Sequence, residues 1–108
     1  MPPEPLRVLL VDDEPLVRRG VRDVLATQAD LQVVGEASDG LSAVAAIEEL
    51  RPELVFLDVQ MPGLDGFGVL ANVDPALRPA VVFVTAYEQY ALKAFEAHAL
   101  DYLLKPFD

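Results

Sequence analysis

Apolar runs of strand length alternate along this chain with stretches of helical period. Leu6 to Val11 reads as a strand, continuous rather than alternating, as expected when both faces are buried. Glu14-Pro15 opens a helix with proline in its first turn, and Leu16, Val17, Gly20, Val21, Val24 and Leu25 form its apolar stripe. Leu31 to Ala37 is a second strand. Ser38-Asp39 caps a second helix, carried by Leu41, Val44, Ala45 and Ile47. Pro52 marks a third strand over Glu53 to Asp58, and a weak third helix with two glycines follows from Gly66 to Asn72. Pro79 introduces a fourth strand, Ala80 to Thr85. Tyr87 to Ala97 predicts a fourth helix with Ala91, Ala94 and Phe95 inward, and Asp101 to Leu104 a short fifth strand ended by Lys105-Pro106.

Strands and helices repeating in this way predict an α/β fold, a parallel sheet covered on both faces. Right-handed crossovers leave few topologies, and the doubly wound, flavodoxin-like order 2-1-3-4-5 sets the first strand beside the third. Ligands bind at that switch point, outside the carboxyl ends of the strands. Asp12, Asp13, Asp58, Thr85 and Lys105 all fall at or just past such ends. The sequence stops at Phe107-Asp108, directly after the fifth strand. A fifth helix is therefore expected to lie beyond this sequence, or another chain to cover the apolar face it would occupy.

Its 108 residues suit one domain, read here as 1–108, with no repeat, linker or low-complexity segment. Cysteine is absent, which excludes disulfides and thiolate chemistry and fits a reducing, cytoplasmic setting. No apolar stretch approaches the roughly 20 residues of a membrane span. Met1-Pro2-Pro3-Glu4-Pro5 lacks the basic start and apolar core of a signal peptide and reads as a short disordered lead-in. The formal charge of -10 is spread along the chain, so the domain's own surface is unsuited to nucleic acid. Most of that charge serves solubility.

Three acids ask for more. Asp12, Asp13 and Asp58 converge at one sheet edge in the predicted topology, and such a cluster repels itself unless it holds a cation or shares a proton. Capping the first helix accounts for one of Asp12 and Asp13, not both. Magnesium, a hard cation that prefers oxygen ligands, suits the set. Asp58 taken alone is an ordinary solubilising strand end; beside a cation its carboxylate can attack phosphorus and become an aspartyl phosphate. Lys105 can reach a phosphoryl oxygen as a point charge, aimed by a cis bond to Pro106. Thr85 can donate its hydroxyl to the same group. Tyr102 taken alone is a core aromatic. His98, the lone histidine, reads as a helix C-terminal residue with no catalytic role.

Four segments together resemble the receiver domain of bacterial two-component response regulators: Val11-Asp12-Asp13-Glu14-Pro15, the run Leu57 to Gly66, Val84-Thr85-Ala86, and Asp101 to Phe107. The resemblance implies that Asp58 accepts a phosphoryl group from the phosphohistidine of a sensor histidine kinase. It implies direct magnesium ligation by Asp13, Asp58 and the backbone carbonyl of Gln60, with Asp12 acting mainly through water. Thr85 and Lys105 would contact the phosphoryl group, and Tyr102 would turn inward with Thr85. The stretch Tyr87 to Tyr102 is similar to regulators carrying a LytTR-type DNA-binding output, so DNA would be reached only through a domain absent from this sequence. In the family the surface of helix 4, strand 5 and helix 5 mediates dimerisation. Without the last helix, a homodimer or swapped oligomer is expected.

These readings describe a phosphorylation-controlled signalling switch rather than an enzyme, since its product stays attached. A magnesium-dependent phosphohydrolase with an aspartate nucleophile would use similar acids, but Gln60 stands where its second acid belongs and no cap domain encloses a substrate. A vestigial interaction module is the third reading, and the full set of five site residues argues against it.

Overall fold

The structure is a computed structural model that describes residues 4–86, 93, 96, 97 and 99–105. Its elements run β1 (Leu6–Val11), α1 (Pro15–Leu25), β2 (Leu31–Ala37), α2 (Gly40–Leu50), β3 (Leu54–Asp58), α3 (Gly66–Ala71), a 3-10 turn (Pro75–Leu77), β4 (Ala80–Thr85) and β5 (Asp101–Leu104). The strands form one sheet in the order β2-β1-β3-β4-β5, every pair parallel. This is the doubly wound order expected from the alternation. Strand β3 starts one residue later than predicted, at Leu54; Glu53 joins its neighbours through its backbone N–H to Arg7 O at 2.8 Å and its carbonyl to Ala80 N–H at 3.0 Å.

Register decides what meets at the sheet's edge. Val11 pairs with Leu57, Asp58 with Val84, and Thr85 with Leu104. The carboxyl ends of four strands therefore finish level, and Asp12, Asp58, Thr85 and Lys105 emerge side by side. Between β1 and β2 the register shifts after Val8: Val8 pairs with Val33 but Leu9 with Gly35. One extra residue of β2 bulges there and sets Glu36 opposite Leu10.

Two cores flank the sheet. Leu9, Val11, Val55, Leu57, Val81 and Phe83 face α2 and α3, meeting Ala43, Ile47, Val69 and Leu70. Val8 and Leu10 face α1 and meet Val21 and Leu25, with Val17 and Phe56 half-buried beside them. Helix α1 thus turns Val17, Val21 and Leu25 inward. Leu16, 80 % exposed, and Val24, 53 % exposed, were part of the predicted stripe but face solvent, as does Gly20, because the inward line follows an i, i+4 row offset from them. In α2 the inward row is Ala43 and Ile47; Leu41 and Ala45 are exposed, and Asp39 caps the helix by accepting Ser42 N–H at 2.7 Å. Helix α3 ends at Ala71, with Asn72 as its C-cap. The predicted fourth helix, including Ala91, Ala94 and Phe95, lies largely outside the described residues, as do His98 and Pro106.

Gly20 sits within α1, exposed, with nothing inside 4 Å of the position a Cβ would take. Gly20→Ala is expected to raise stability by about 0.5–1 kcal/mol through helix propensity alone. Denaturant unfolding would show the midpoint shift upward at an unchanged slope.

Candidate functional site

Asp12 follows β1 directly. Its N–H donates to Ala37 O at 3.1 Å, and its Oδ1 accepts the Glu14 N–H at 2.9 Å, a local turn that launches α1. Neither Asp12 nor Asp13, the two acids considered as caps, holds the N-cap position; Asp12 accepts the N–H of the N-cap residue itself. Glu14 holds the N-cap position without a side-chain cap of its own. Asp58, the last residue of β3, accepts the Gln60 N–H on Oδ1 at 3.2 Å. Asp12 and Asp58 are each 3 % exposed, whereas Asp13 is open to solvent. One carboxylate oxygen from each of Asp12, Asp13 and Asp58 lies within 4.8 Å of the others.

Lys105 faces this cluster. Its backbone N–H donates to Thr85 O at 2.7 Å, which extends the β4–β5 ladder by one rung. Its ammonium lies 2.9 Å from Asp12 Oδ2, 3.0 Å from Glu14 Oε1 and 3.5 Å from Asp58 Oδ2. Thr85 is buried, 1 % exposed, at the end of β4. Tyr102 is half-buried and packs against the core shared by α2 and α3. The structure therefore brings Asp12, Asp13, Asp58, Gln60, Thr85 and Lys105 to one edge, with Tyr102 one strand away on the core side.

The electrostatics are unbalanced. Burial pushes the Asp58 carboxyl up to about 7, and the charge on Asp12 pushes the same way; Lys105 and the Gln60 N–H oppose them, and Asp13 adds to the rise. Burial pulls on Lys105 in the opposite sense, but pairing with Asp12 and Glu14, and then the Asp58 charge, hold its ammonium above the usual lysine range. Asp12 Oδ2 is buried and receives no aligned hydrogen bond; its partner is the Lys105 ammonium, as an ion pair. One ammonium thus serves a crowd of carboxylates, Asp12, Glu14 and Asp58 together. Buried carboxylates in this state fit a small, hard divalent cation with oxygen ligands, and magnesium answers that description.

Two residues that the sequence reading passed over belong here. Glu14 was a helix opener, yet its carboxylate holds Lys105; a third consecutive acid was the available signal. Arg18 donates from Nη1 to Asp12 O at 2.6 Å and from Nε to Glu36 Oε1 at 2.9 Å. Its signal was a cation near a helix N-terminus, where the dipole disfavours it and a specific partner is called for. Burial raises the Glu36 carboxyl, but Arg22 and Arg18 more than offset this and hold it below the usual range.

The Asp58 value fixes a pH dependence. Between the unfolded value near 3.8 and about 7, the metal-free folded state holds a proton that the unfolded state has released. Metal-free stability should therefore fall as pH rises through that window. A cation competes with the same proton, so magnesium affinity should rise with pH and level off above about 7. Calorimetric titrations at several pH values in buffers of different ionisation heat would register proton release below that point, and none above it.

Comparison with known proteins agrees with this geometry. The family model described as the response regulator receiver domain matches residues 8–108. The transcriptional regulatory protein BtsR of Escherichia coli strain K12 is 50 % identical over 103 residues, covering 95 % of this chain and 43 % of that protein. This chain thus spans less than half the length of the curated relatives it matches. Among solved structures, the receiver domain of the response regulator NarL from Mycobacterium tuberculosis superposes with a TM-score of 0.86 at 37 % identity, over 98 % of this chain and 88 % of that one. A chain of the CheX–CheY–BeF3–Mg+2 complex from Borrelia burgdorferi gives a TM-score of 0.86 at 25 % identity, over 97 % and 81 %.

Proposed function

We propose, from the premise that this chain belongs to the response regulator receiver domain family, that Asp58 is a phosphoacceptor in a magnesium-dependent signalling switch. The observation that carries this is the meeting of three carboxylates with a lysine whose backbone is tied to Thr85. Asp13, Asp58 and the Gln60 carbonyl would hold the ion, with Asp12 beside them. When bound, magnesium supplies charge neutralisation for the transferred oxygens. A carboxylate oxygen of Asp58 forms the new O–P bond as the P–N bond of a partner kinase's phosphohistidine breaks, and the electron pair departs on the imidazole nitrogen. Lys105, already 3.5 Å from Asp58 Oδ2, meets one phosphoryl oxygen, and the Thr85 hydroxyl another.

Phosphorylation adds up to about two negative charges at this edge. Lys105 then has a stronger anion to pair with than Glu14, and Thr85 and Tyr102 respond on the neighbouring strands. That biases the surface around β5 between two packings. Receiver domains with regulatory relatives of this kind are generally signalling modules rather than classical enzymes. We assign residues 1–108 to the input half of a longer transcriptional regulator, with a LytTR-type output carrying the DNA contact and a second copy pairing on the β5 side.

The test is to supply acetyl phosphate and magnesium and weigh the intact chain. One added phosphoryl group, labile to hydroxylamine and absent without metal, is expected. An unchanged mass under conditions where magnesium binds would overturn the reading.

A further inference from the structure

Arg18 makes a contact that neither the phosphoacceptor nor the lysine explains. Its side chain, 17 % exposed, forks between two segments: Nη1 reaches the backbone carbonyl of Asp12 at 2.6 Å, and Nε reaches Glu36 Oε1 at 2.9 Å. The second oxygen of Glu36 is occupied by Arg22, through Nη2 at 2.7 Å and Nε at 2.9 Å. Glu36 is level with these groups because of the extra residue in β2. The Asp12 N–H is fixed on Ala37 O. Both ends of Asp12's backbone are therefore held, the N–H by β2 and the carbonyl by α1.

That carbonyl belongs to the peptide plane joining Asp12 to Asp13. Its orientation sets the direction in which Asp13, the exposed member of the acid cluster, leaves the strand. We infer that Arg18 is a positioning residue, which clamps the Asp12–Asp13 peptide so that both carboxylates face a bound divalent cation. This rests on the proposal that the acids bind one. Outer partners that orient ligands typically alter metal affinity by about 10- to 100-fold. The guanidinium holds the carbonyl through Nη1 and Glu36 through Nε from one rigid plane, whereas a lysine carries all its donors on a single nitrogen and does not reproduce that spacing.

The sign of the effect separates positioning from charge. Arg18 is a cation close to a cation site, so its electrostatic contribution opposes metal binding, and removing it for that reason alone would tighten binding. Removing a clamp loosens it. Titration calorimetry of magnesium on the whole chain at pH 8, with metal-free melting recorded in parallel, distinguishes the two. Arg18→Met is expected to weaken binding by about tenfold or more. Arg22→Met strips the other partner from Glu36 without touching Asp12 and should stay within about threefold of wild type.

Unchanged or tighter binding by Arg18→Met would overturn the inference, as would equal weakening in the two variants. Should Arg18→Met not fold, Arg18→Lys retains charge and stem but not the fork; about tenfold weaker binding is again expected, and a wild-type value overturns the assignment. Absence of binding by the wild type itself would remove the cation site and this role together, a failure visible before any variant is made.

Discussion

Asp58→Asn is expected to take up no phosphoryl group from acetyl phosphate and magnesium, under conditions where the wild-type chain is expected to take up one. Replacing the attacking oxygen with an amide removes the nucleophile, so the expected loss of rate is on the order of a thousandfold or more. A second readout moves the other way. Burial and the Asp12 charge make the ionised Asp58 carboxylate unfavourable in the folded state without metal. Asparagine matches its shape and never ionises, so metal-free stability at pH 8 should rise, by on the order of 1 kcal/mol once solvent screening and the loss of Lys105 are allowed for. Loss of labelling accompanied by a higher metal-free melting temperature would tie both effects to one group. Labelling that persists in Asp58→Asn would place the acceptor elsewhere, and a lower melting temperature would contradict the upward push on the Asp58 carboxyl.

Gly66→Ala is expected to damage fold and site together. The Gly66 N–H donates to Val59 O at 2.9 Å, so the start of α3 lies directly against the loop leaving β3. A Cβ at this position would press on the Asp58 carbonyl oxygen and stand 3.1 Å from Val59 Cα. Both neighbours are backbone, with no flexible side chain to give way, and the backbone that must move carries the proposed acceptor. About 3 kcal/mol of destabilisation follows, at the upper end of the overpacking range. Gly20→Ala provides the contrast: the same added methyl, in open space, should be mildly stabilising. Chemical unfolding of the two variants beside wild type checks the prediction. Phosphoryl uptake by folded Gly66→Ala should also be reduced, since any relaxation displaces Asp58.

The strands were legible mostly as short apolar runs with a proline or an acid at one end, as with Pro5 before Leu6, Asp30 before Leu31 and Pro79 before Ala80. Leu6 to Val11, Leu31 to Ala37, Ala80 to Thr85 and Asp101 to Leu104 appear as read. Chirality leaves few strand orders, and the doubly wound one among them is the order observed. Helix faces were less legible. In α1 an apolar Leu16 and Val24 sit next to the inward row, and composition alone does not say which of two adjacent rows meets the sheet. The site was visible as acids at strand ends, because strand ends in a parallel sheet converge wherever the side chains point. What escaped was the set of contacts between distant segments: Glu14 with Lys105, 91 residues apart, and Arg18 with Glu36. The second pair depends on a register shift in β2 that no local pattern announces.

The hydrogen bond from Lys105 N–H to Thr85 O has a mechanical meaning. It yokes the two residues assigned to the phosphoryl group on a common rung, so neither strand tip can advance alone. A pull on the ammonium would then be carried along this rung toward the hydroxyl, and the pair would work as one latch with two fingers.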